Sequence, residues 1–145
     1  MIRIAGRGIK GTNGLTWVLR MVDVWRFFGR HQDAMNFRPE RFNPIPLAEN
    51  SRVKVILACF EQGQFTPVHQ PGVDLTLVIL QREGMLIAGE REKRIGVGAI
   101  AFIPAGEARG LKAESRIVAL HVVSPPPTEA DHVEVMSKLQ QGIWK

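Results

Sequence analysis

This 145-residue chain contains one cysteine, Cys59, and no tyrosine. A single cysteine excludes a disulfide within the chain and excludes the cysteine-rich classes of zinc site. Cys59 lies within an apolar run, so we expect a buried, unreactive thiol. No apolar run approaches the about 20 residues that a membrane-spanning helix needs. We therefore expect a single cytoplasmic domain with no membrane partner.

The positive charge is concentrated at the N-terminus. The chain has a formal net charge of +5 at pH 7, and residues 1–20 have no acidic side chain to balance their basic ones, which are Arg3, Arg7, Lys10 and Arg20. Nucleic-acid binding is not expected, because neither interleaved aromatic side chains nor a second basic patch accompanies this charge. The segment also lacks the apolar core of a signal peptide. We expect a solvated, Gly-rich extension that the fold does not need, and Met21 is an alternative natural start.

Turn residues divide the middle of the chain into short apolar runs. Strands at intervals of about 8–12 residues, separated by Gly and Pro, are typical of an all-β sandwich or barrel. The predicted strands are Val53–Phe60, Gln64–His69, Leu75–Leu80, Met85–Ala88, Ala99–Ile103 and Arg116–Ser124.

The two flanks of this region read differently. Three prolines predict that residues 38–46 form a loop, and residues 21–28 are predicted to be a strand or a helical turn. After the last strand, residues 125–127 are all proline and should end the sheet. Thr128 and Asp131 resemble a capping box, which predicts a helix from about 129 to 140 with Gly142 beyond its end. Its apolar stripe would contain Val133, Met136 and Leu139.

The spacing of several turn residues resembles the two motifs of the cupin superfamily. Gly98, Pro104 and Gly106 fit the second motif, and Gly63 and His69 fit the first. The resemblance implies a cupin-type β-barrel, which is a double-stranded β-helix similar to a jelly roll. We therefore divide the chain into an extension (1–20), an N-terminal arm with a Pro-rich loop (21–50), the barrel (51–125) and a short C-terminal helix (126–145).

The resemblance does not extend to the family's metal ligands. Of the four ligand positions, only His69 retains a donor, while the others are occupied by Pro71, Leu75 and Arg109. Three protein ligands are normal for a catalytic metal, and a fixed cation repels one. We expect no cofactor. The alternative is a divalent metal held by His69, Asp74 and His121, and the simpler interpretation of His121 is a packed or rim histidine.

A barrel without a metal would present His69 and Arg109 among apolar walls, as small-molecule pockets do. Its predicted lining comprises Phe65, Pro71, Leu75, Leu77, Ile79, Phe102 and Ile117, and we place the ligand site at His69, Pro71, Leu75, Phe102 and Arg109. The predicted function is a sensing or accessory role that binds a small ligand, and the guanidinium of Arg109 would suit an anion. One alternative is a metal-dependent enzyme of the dioxygenase or isomerase type. Another is a filled barrel with a structural or interaction role, in which Arg109 pairs with Asp74, Glu83 or Glu107.

We also expect a homodimer. Small single-domain cupins resemble one another in pairing through sheet edges, and an open edge must be covered. The N-terminal region offers apolar surface for a partner at Trp17, Val18, Trp25, Phe27 and Phe28.

Overall fold

A computed structural model of the chain describes residues 2–3 and 26–145. Most of the predicted N-terminal extension, including Trp17 and Val18, lies outside the described residues, and so does Trp25 of the predicted N-terminal arm. The strands are β1 (Ile2–Arg3), β2 (Arg26–Phe27), β3 (Asn43–Glu49), β4 (Lys54–Phe60), β5 (Phe65–His69), β6 (Asp74–Gln81), β7 (Gly84–Ala88), β8 (Arg91–Ile95), β9 (Ile100–Ile103), β10 (Arg109–Ala113) and β11 (Ile117–Ser124). The helices are α1 (His31–Ala34), which places His31 in a short helix, and α2 (Glu129–Gln141).

Two antiparallel sheets contain nearly all of the strands. One has the order β3-β4-β11-β6-β9 and the other the order β5-β10-β7-β8, while β1 pairs with β2. The two larger sheets do not close into a continuous barrel. The all-β prediction is confirmed, and the predicted barrel is a pair of open sheets with the main core between them.

Alternation along the strands sorts apolar side chains between two cores. On β4, Ile56, Ala58 and Phe60 belong to the core between the sheets, whereas Leu57 and Cys59 belong to a second cluster on the outer face of the five-stranded sheet. Phe27 packs against this second cluster. Cys59 is fully buried, as predicted, and burial raises the pKa of its thiol.

The prediction that residues 38–46 form a loop is wrong at its C-terminal end. Asn43–Glu49 form strand β3, so the folded sheet begins at residue 43 rather than at 51. Pro44 and Pro46 are tolerated because β3 pairs with β4 on one side only, and an edge strand can lack backbone donors on its other side.

Two further strands of the large sheets were not predicted. The first, β8, has four charged residues and is exposed along most of its length, so it carries no apolar pattern. The second, β10, contains Gly110, which reads as a turn residue. Here glycine is required by packing, because a Cβ atom would lie 2.8 Å from Val68 Cγ2 and 2.9 Å from the Trp144 ring.

The C-terminal helix begins and ends close to where the sequence predicts. The Asp131 carboxylate accepts hydrogen bonds from the backbone N–H and the hydroxyl of Thr128, at 2.9 and 3.0 Å, and these bonds lower its pKa. Gly142 ends α2 with a left-handed backbone, φ +68°. The predicted apolar stripe is wrong except at Leu139, which contacts the core: Val133 and Met136 are exposed.

Among the described residues, none of the helices is both long enough and apolar enough to cross a membrane.

Candidate ligand-binding cavity

A cavity of about 160 Å³ lies between the two sheets. Most of its wall is aliphatic or aromatic, and α2 with the segment before it borders one side. Its polar side chains come from both sheets and from α2. The residues that line it include Phe42, Ile56, Thr66, His69, Pro71, Leu75, Leu77, Leu86, Arg109, Leu111, His121, Val123, Pro127, Asp131, His132 and Val135.

Arg109 contributes a buried cation to this cavity. Its exposed fraction is 4%. Nη2 donates to the backbone oxygens of Ile103, at 3.3 Å, and Pro104, at 2.9 Å. Burial lowers the pKa of the guanidinium, and the carboxylates of Asp74, Glu107 and Asp131 oppose that shift from a distance. A guanidinium stays charged despite such a shift, so the cavity holds a positive charge at neutral pH.

The nitrogen atoms Nε and Nη1 of Arg109 are buried and have no hydrogen-bond partner among the described residues. Within that same part of the chain, one other buried side-chain polar atom is unpartnered, and it is Thr66 Oγ1. Both residues line the cavity. An unsatisfied buried donor costs about 1–3 kcal/mol, and more when it is charged. The buried side-chain polar atoms that lack a partner in the described part of the chain therefore all belong to residues of this one cavity.

A strand irregularity brings Thr66 and His69 to the cavity together. Arg109 pairs with His69 and Leu111 with Thr66, so three steps along β5 match two along β10. Residues directly opposite in an antiparallel pair share a face, and so do alternate residues of one strand. The bulge thus gives Thr66 and His69 the same face as Arg109 and Leu111.

The hydrogen bonding of His69 fixes its tautomer. Nδ1 lies 2.8 Å from the backbone oxygen of Pro67, which can only accept, so Nδ1 carries the proton. Burial is the main cause that lowers the pKa of His69, and Arg109 adds to it. Glu134 and Lys138 on α2 act on the ring in opposite directions. A neutral His69 therefore has Nε2 as a hydrogen-bond acceptor.

His121 faces the cavity from the five-stranded sheet. It lies on β11 opposite Ile56 and Leu77, which also line the cavity. Burial, with smaller effects from His69 and Arg109, lowers its pKa to about 4. His121 is half-buried in the fold and lines the cavity together with His69 and Arg109.

Comparison with solved structures identifies the fold. An RmlC-like cupin from Desulfovibrio desulfuricans is 24% identical, with a TM-score of 0.61 over 69% of this chain and 98% of that one. A double-stranded β-helix protein from Klebsiella pneumoniae is 18% identical, with a TM-score of 0.62 over 69% of this chain and 90% of that one. This chain has the cupin fold.

A protein from Thermus thermophilus, TT1209, has higher sequence identity, 29%, with a TM-score of 0.65 over 68% of this chain and 96% of that one. No family model matches the cupin-fold chain. No curated protein matches it either. The fold prediction is confirmed, and these comparisons assign no function to the chain.

Four of the five residues predicted for the ligand site of this cupin-fold protein line one cavity: His69, Pro71, Leu75 and Arg109. Phe102 does not, because it is 63% exposed on the outer face of β9. Among the other predicted lining residues, Leu77 is present, while Ile79 and Ile117 are fully buried in the core. Phe65 packs instead against Trp144, with ring centroids 5.9 Å apart.

Sequence reasoning missed one wall and one polar group. Pro127, Asp131, His132 and Val135 come from the helical end of the chain, which motif spacing treats as separate from the sheets. His132 is exposed yet borders the cavity. Thr66 was missed because simple strand alternation places it on the opposite face from His69.

The cavity does not fit the divalent metal that the cupin fold suggests. Inside it, the imidazoles of His69 and His121 share the space with the fixed positive charge of Arg109, while His132 borders it from the exposed side of α2. Asp74, the third member of the alternative ligand set, does not line the cavity, and its Oδ1 accepts a hydrogen bond of 2.9 Å from the Ala105 backbone. The described residues contain no group of three His, Cys, Asp or Glu side chains suited to a metal. We therefore derive no chemistry through a metal.

Proposed function

We propose that this cupin-fold protein binds a small organic anion between its sheets, in a sensing or accessory role, with Arg109 as the counter-ion. The observation that carries the proposal is the position of the unpartnered buried atoms. Arg109 Nε and Nη1 and Thr66 Oγ1 all belong to residues that line a single cavity. A bound carboxylate would accept from these donors and offset the cost of burying the charge.

The protein's own acids do not fill this role. Asp74, Glu83 and Glu107 were the candidate partners of Arg109, but none of them forms an ion pair with it in the described part of the chain. Asp74 is engaged with Ala105. Asp131 borders the cavity, yet its carboxylate caps α2 through Thr128. The guanidinium of Arg109 therefore has no carboxylate partner in the described part of the chain, and an external anion would provide one.

The remaining walls favour a ligand with an apolar body. Phe42, Ile56, Leu75, Leu77 and Val123 present hydrocarbon opposite the four-stranded sheet. A cavity of about 150 Å³ accommodates benzene in another protein, so a cavity of about 160 Å³ suits a compact molecule of similar size. Apolar walls with a few convergent polar groups are the usual composition of a small-molecule site.

Isothermal titration calorimetry with butanoate and butanamide tests the proposal. The two have similar shapes, but only butanoate carries a charge, so we expect binding of butanoate and at least tenfold weaker binding of butanamide. Arg109→Met should abolish butanoate binding. Arg91→Met is the matched control, because Arg91 is exposed on β8. Equal binding of both compounds, or full binding by Arg109→Met, would contradict the role of Arg109 as the counter-ion, and failure of wild type to bind either compound would favour a filled, structural domain.

A further inference from the structure

We infer that the anion bound in this cavity is a 2-hydroxy carboxylic acid of about four carbons, whose hydroxyl donates to His69 while its carboxylate lies at Arg109. This inference rests on the proposed function and goes further, because it assigns a second recognition element. It follows from the donors and acceptors that the cavity offers, from their separation and from the space around them.

The cavity offers an acceptor as well as a cation. His69 uses its Nδ1 proton to bind the Pro67 oxygen, 2.8 Å away, so the neutral ring can only accept at Nε2. Nε2 has no hydrogen-bond partner among the described residues. A simple carboxylate has no proton to give to it. A hydroxyl does, so a hydroxy acid satisfies both His69 and Arg109.

The separation of the two residues limits where that hydroxyl can be. His69 and Arg109 are directly opposite across the β5–β10 pair, and such positions have Cβ atoms about 4.5–5.5 Å apart. Their polar ends therefore reach neighbouring atoms of one ligand rather than its two ends. A hydroxyl on the carbon next to the carboxylate meets this requirement.

Thr66 supplies a further contact on the same sheet. Its Oγ1 is buried and unpartnered, and it lines the cavity with His69 and Arg109. A threonine hydroxyl both donates and accepts, so it can donate to the second carboxylate oxygen. A ligand with one carboxylate and one hydroxyl thus gives partners to all the unpartnered groups of the four-stranded sheet.

The opposite wall determines the rest of the molecule. Ile56, Leu75, Leu77 and Val123 on the five-stranded sheet surround His121. These side chains leave room for a short alkyl chain and offer it no charge. With a volume of about 160 Å³, close to the about 150 Å³ cavity that accommodates benzene in another protein, a chain of about four carbons fits.

Calorimetry with matched ligands tests the inference on the full-length protein. The probes are butanoate, 2-hydroxybutanoate as separate enantiomers, and 2-methoxybutanoate, which keeps the oxygen but has no proton to donate. We expect one 2-hydroxybutanoate enantiomer to bind at least tenfold more tightly than butanoate. The methoxy compound should lose that advantage, and this comparison needs no protein variant.

Variants then assign the hydroxyl to its partner. His69→Phe should bring the ratio of 2-hydroxybutanoate to butanoate affinity close to one while butanoate still binds. His31→Gln, outside the cavity, is the matched control and should keep the full ratio. Equal affinity of wild type for butanoate and 2-hydroxybutanoate, or an unchanged ratio in His69→Phe, overturns the inference and leaves the proposed function standing. Failure of all four compounds to bind overturns both.

Discussion

His69 and Arg109 lie directly opposite each other on neighbouring strands, with a hydrogen-bond acceptor on one and a fixed cation on the other. The pairing places both groups on the inner face of the four-stranded sheet. Because Nη2 of Arg109 is anchored to two backbone oxygens, the guanidinium is positioned before any ligand arrives. An anion therefore meets a prearranged donor set and causes little loss of side-chain entropy on binding.

Arg109→Met should stabilise the free protein. A buried charge without an ion-pair partner is costly, and replacing buried charges by apolar side chains of similar volume is often neutral or stabilising. The lost Nη2 bonds to Ile103 and Pro104 offset part of the gain. We expect the free energy of unfolding to rise by about 1 kcal/mol, measured by urea denaturation without ligand.

The opposite result would assign Arg109 a structural role. A fall of about 3 kcal/mol or more would mean that Arg109 closes a buried pair, because breaking one costs about that much. Arg91→Met is again the control, and its unfolding free energy should change by less than about 0.5 kcal/mol.

The acid stability of the fold should depend on His121. Its pKa falls from 6.5 in the unfolded chain to about 4 in the fold, so the unfolded state binds more protons between these values. The contribution of His121 to the free energy of unfolding is therefore fully present above about pH 6.5. It declines by up to about 3 kcal/mol as the pH falls towards about 4. His69, whose pKa is also lowered, acts in the same direction.

His121→Phe removes this contribution. Urea denaturation at pH 7 and at pH 4 should show a smaller loss of stability in the variant than in wild type. His31→Gln, which lies outside the cavity on α1, should follow wild type. Equal losses in wild type and His121→Phe would show that His121 is solvated and titrates normally.

The sequence predicts the strands that have strong apolar runs or clear turn signals. It fails for strands whose composition depends on their place in the sheet. Strands β4, β6 and β11 follow from long apolar runs. Strand β8 has charged residues, because both its faces tolerate solvent, and β3 contains prolines that only its edge position allows. Neither the exposure of β8 nor the edge position of β3 can be read from the local sequence.

The residues of the candidate site could also be predicted only in part. Motif spacing places His69 and Arg109 correctly, since glycine and proline turns fix the strand ends between them. His121 and Thr66 could not be assigned to a face from the sequence, because their faces depend on register and on the bulge between β5 and β10. The wall formed by α2 depends on long-range packing, such as the Lys138 contact with the Val68 backbone oxygen at 2.5 Å.

The purified protein should contain well under one equivalent of iron, manganese, nickel, zinc or copper. His69 and His121 are too few ligands for a tight site, and Arg109 repels a divalent cation. Plasma mass spectrometry after growth in metal-supplemented medium measures this. Stoichiometric metal that is lost in His69→Ala would favour the alternative of a metal-dependent enzyme.

Arg109→His sharpens that test. It replaces the cation with a third imidazole, while Pro71 and Leu75 still contribute no donor. We expect at most weak binding of Zn²⁺ by titration, because the third ring would extend from a backbone position fixed for a longer side chain. Tight, stoichiometric binding would show that His69 and His121 already form part of a metal site.

We propose that the protein forms a homodimer through the edge strand β9. Three of the four edges of the two large sheets are protected: β8 by charged residues, β3 by prolines, and β5 by the C-terminal segment, where the Val68 backbone N–H donates to the Trp144 oxygen at 2.9 Å. In the described part of the chain, β9 pairs with β6 alone and has no charged residue. Ile100 and Phe102 on β9 are 75% and 63% exposed, and a second copy would cover both the edge and this apolar face.

Light scattering at micromolar concentration should therefore give about twice the 16.2 kDa of one chain. The double variant Ile100→Lys with Phe102→Lys should be monomeric, because four like charges would face each other across a two-fold interface. Val133→Lys, equally exposed at 67% but on α2, is the control and should leave the mass unchanged. A wild-type mass of one chain would contradict the dimer, and a dimer that survives the double variant would place the interface elsewhere. Because the exposed side chains of Ile100, Phe102 and Val133 do not line the cavity, both variants should still bind butanoate, which separates this test from that of the ligand site.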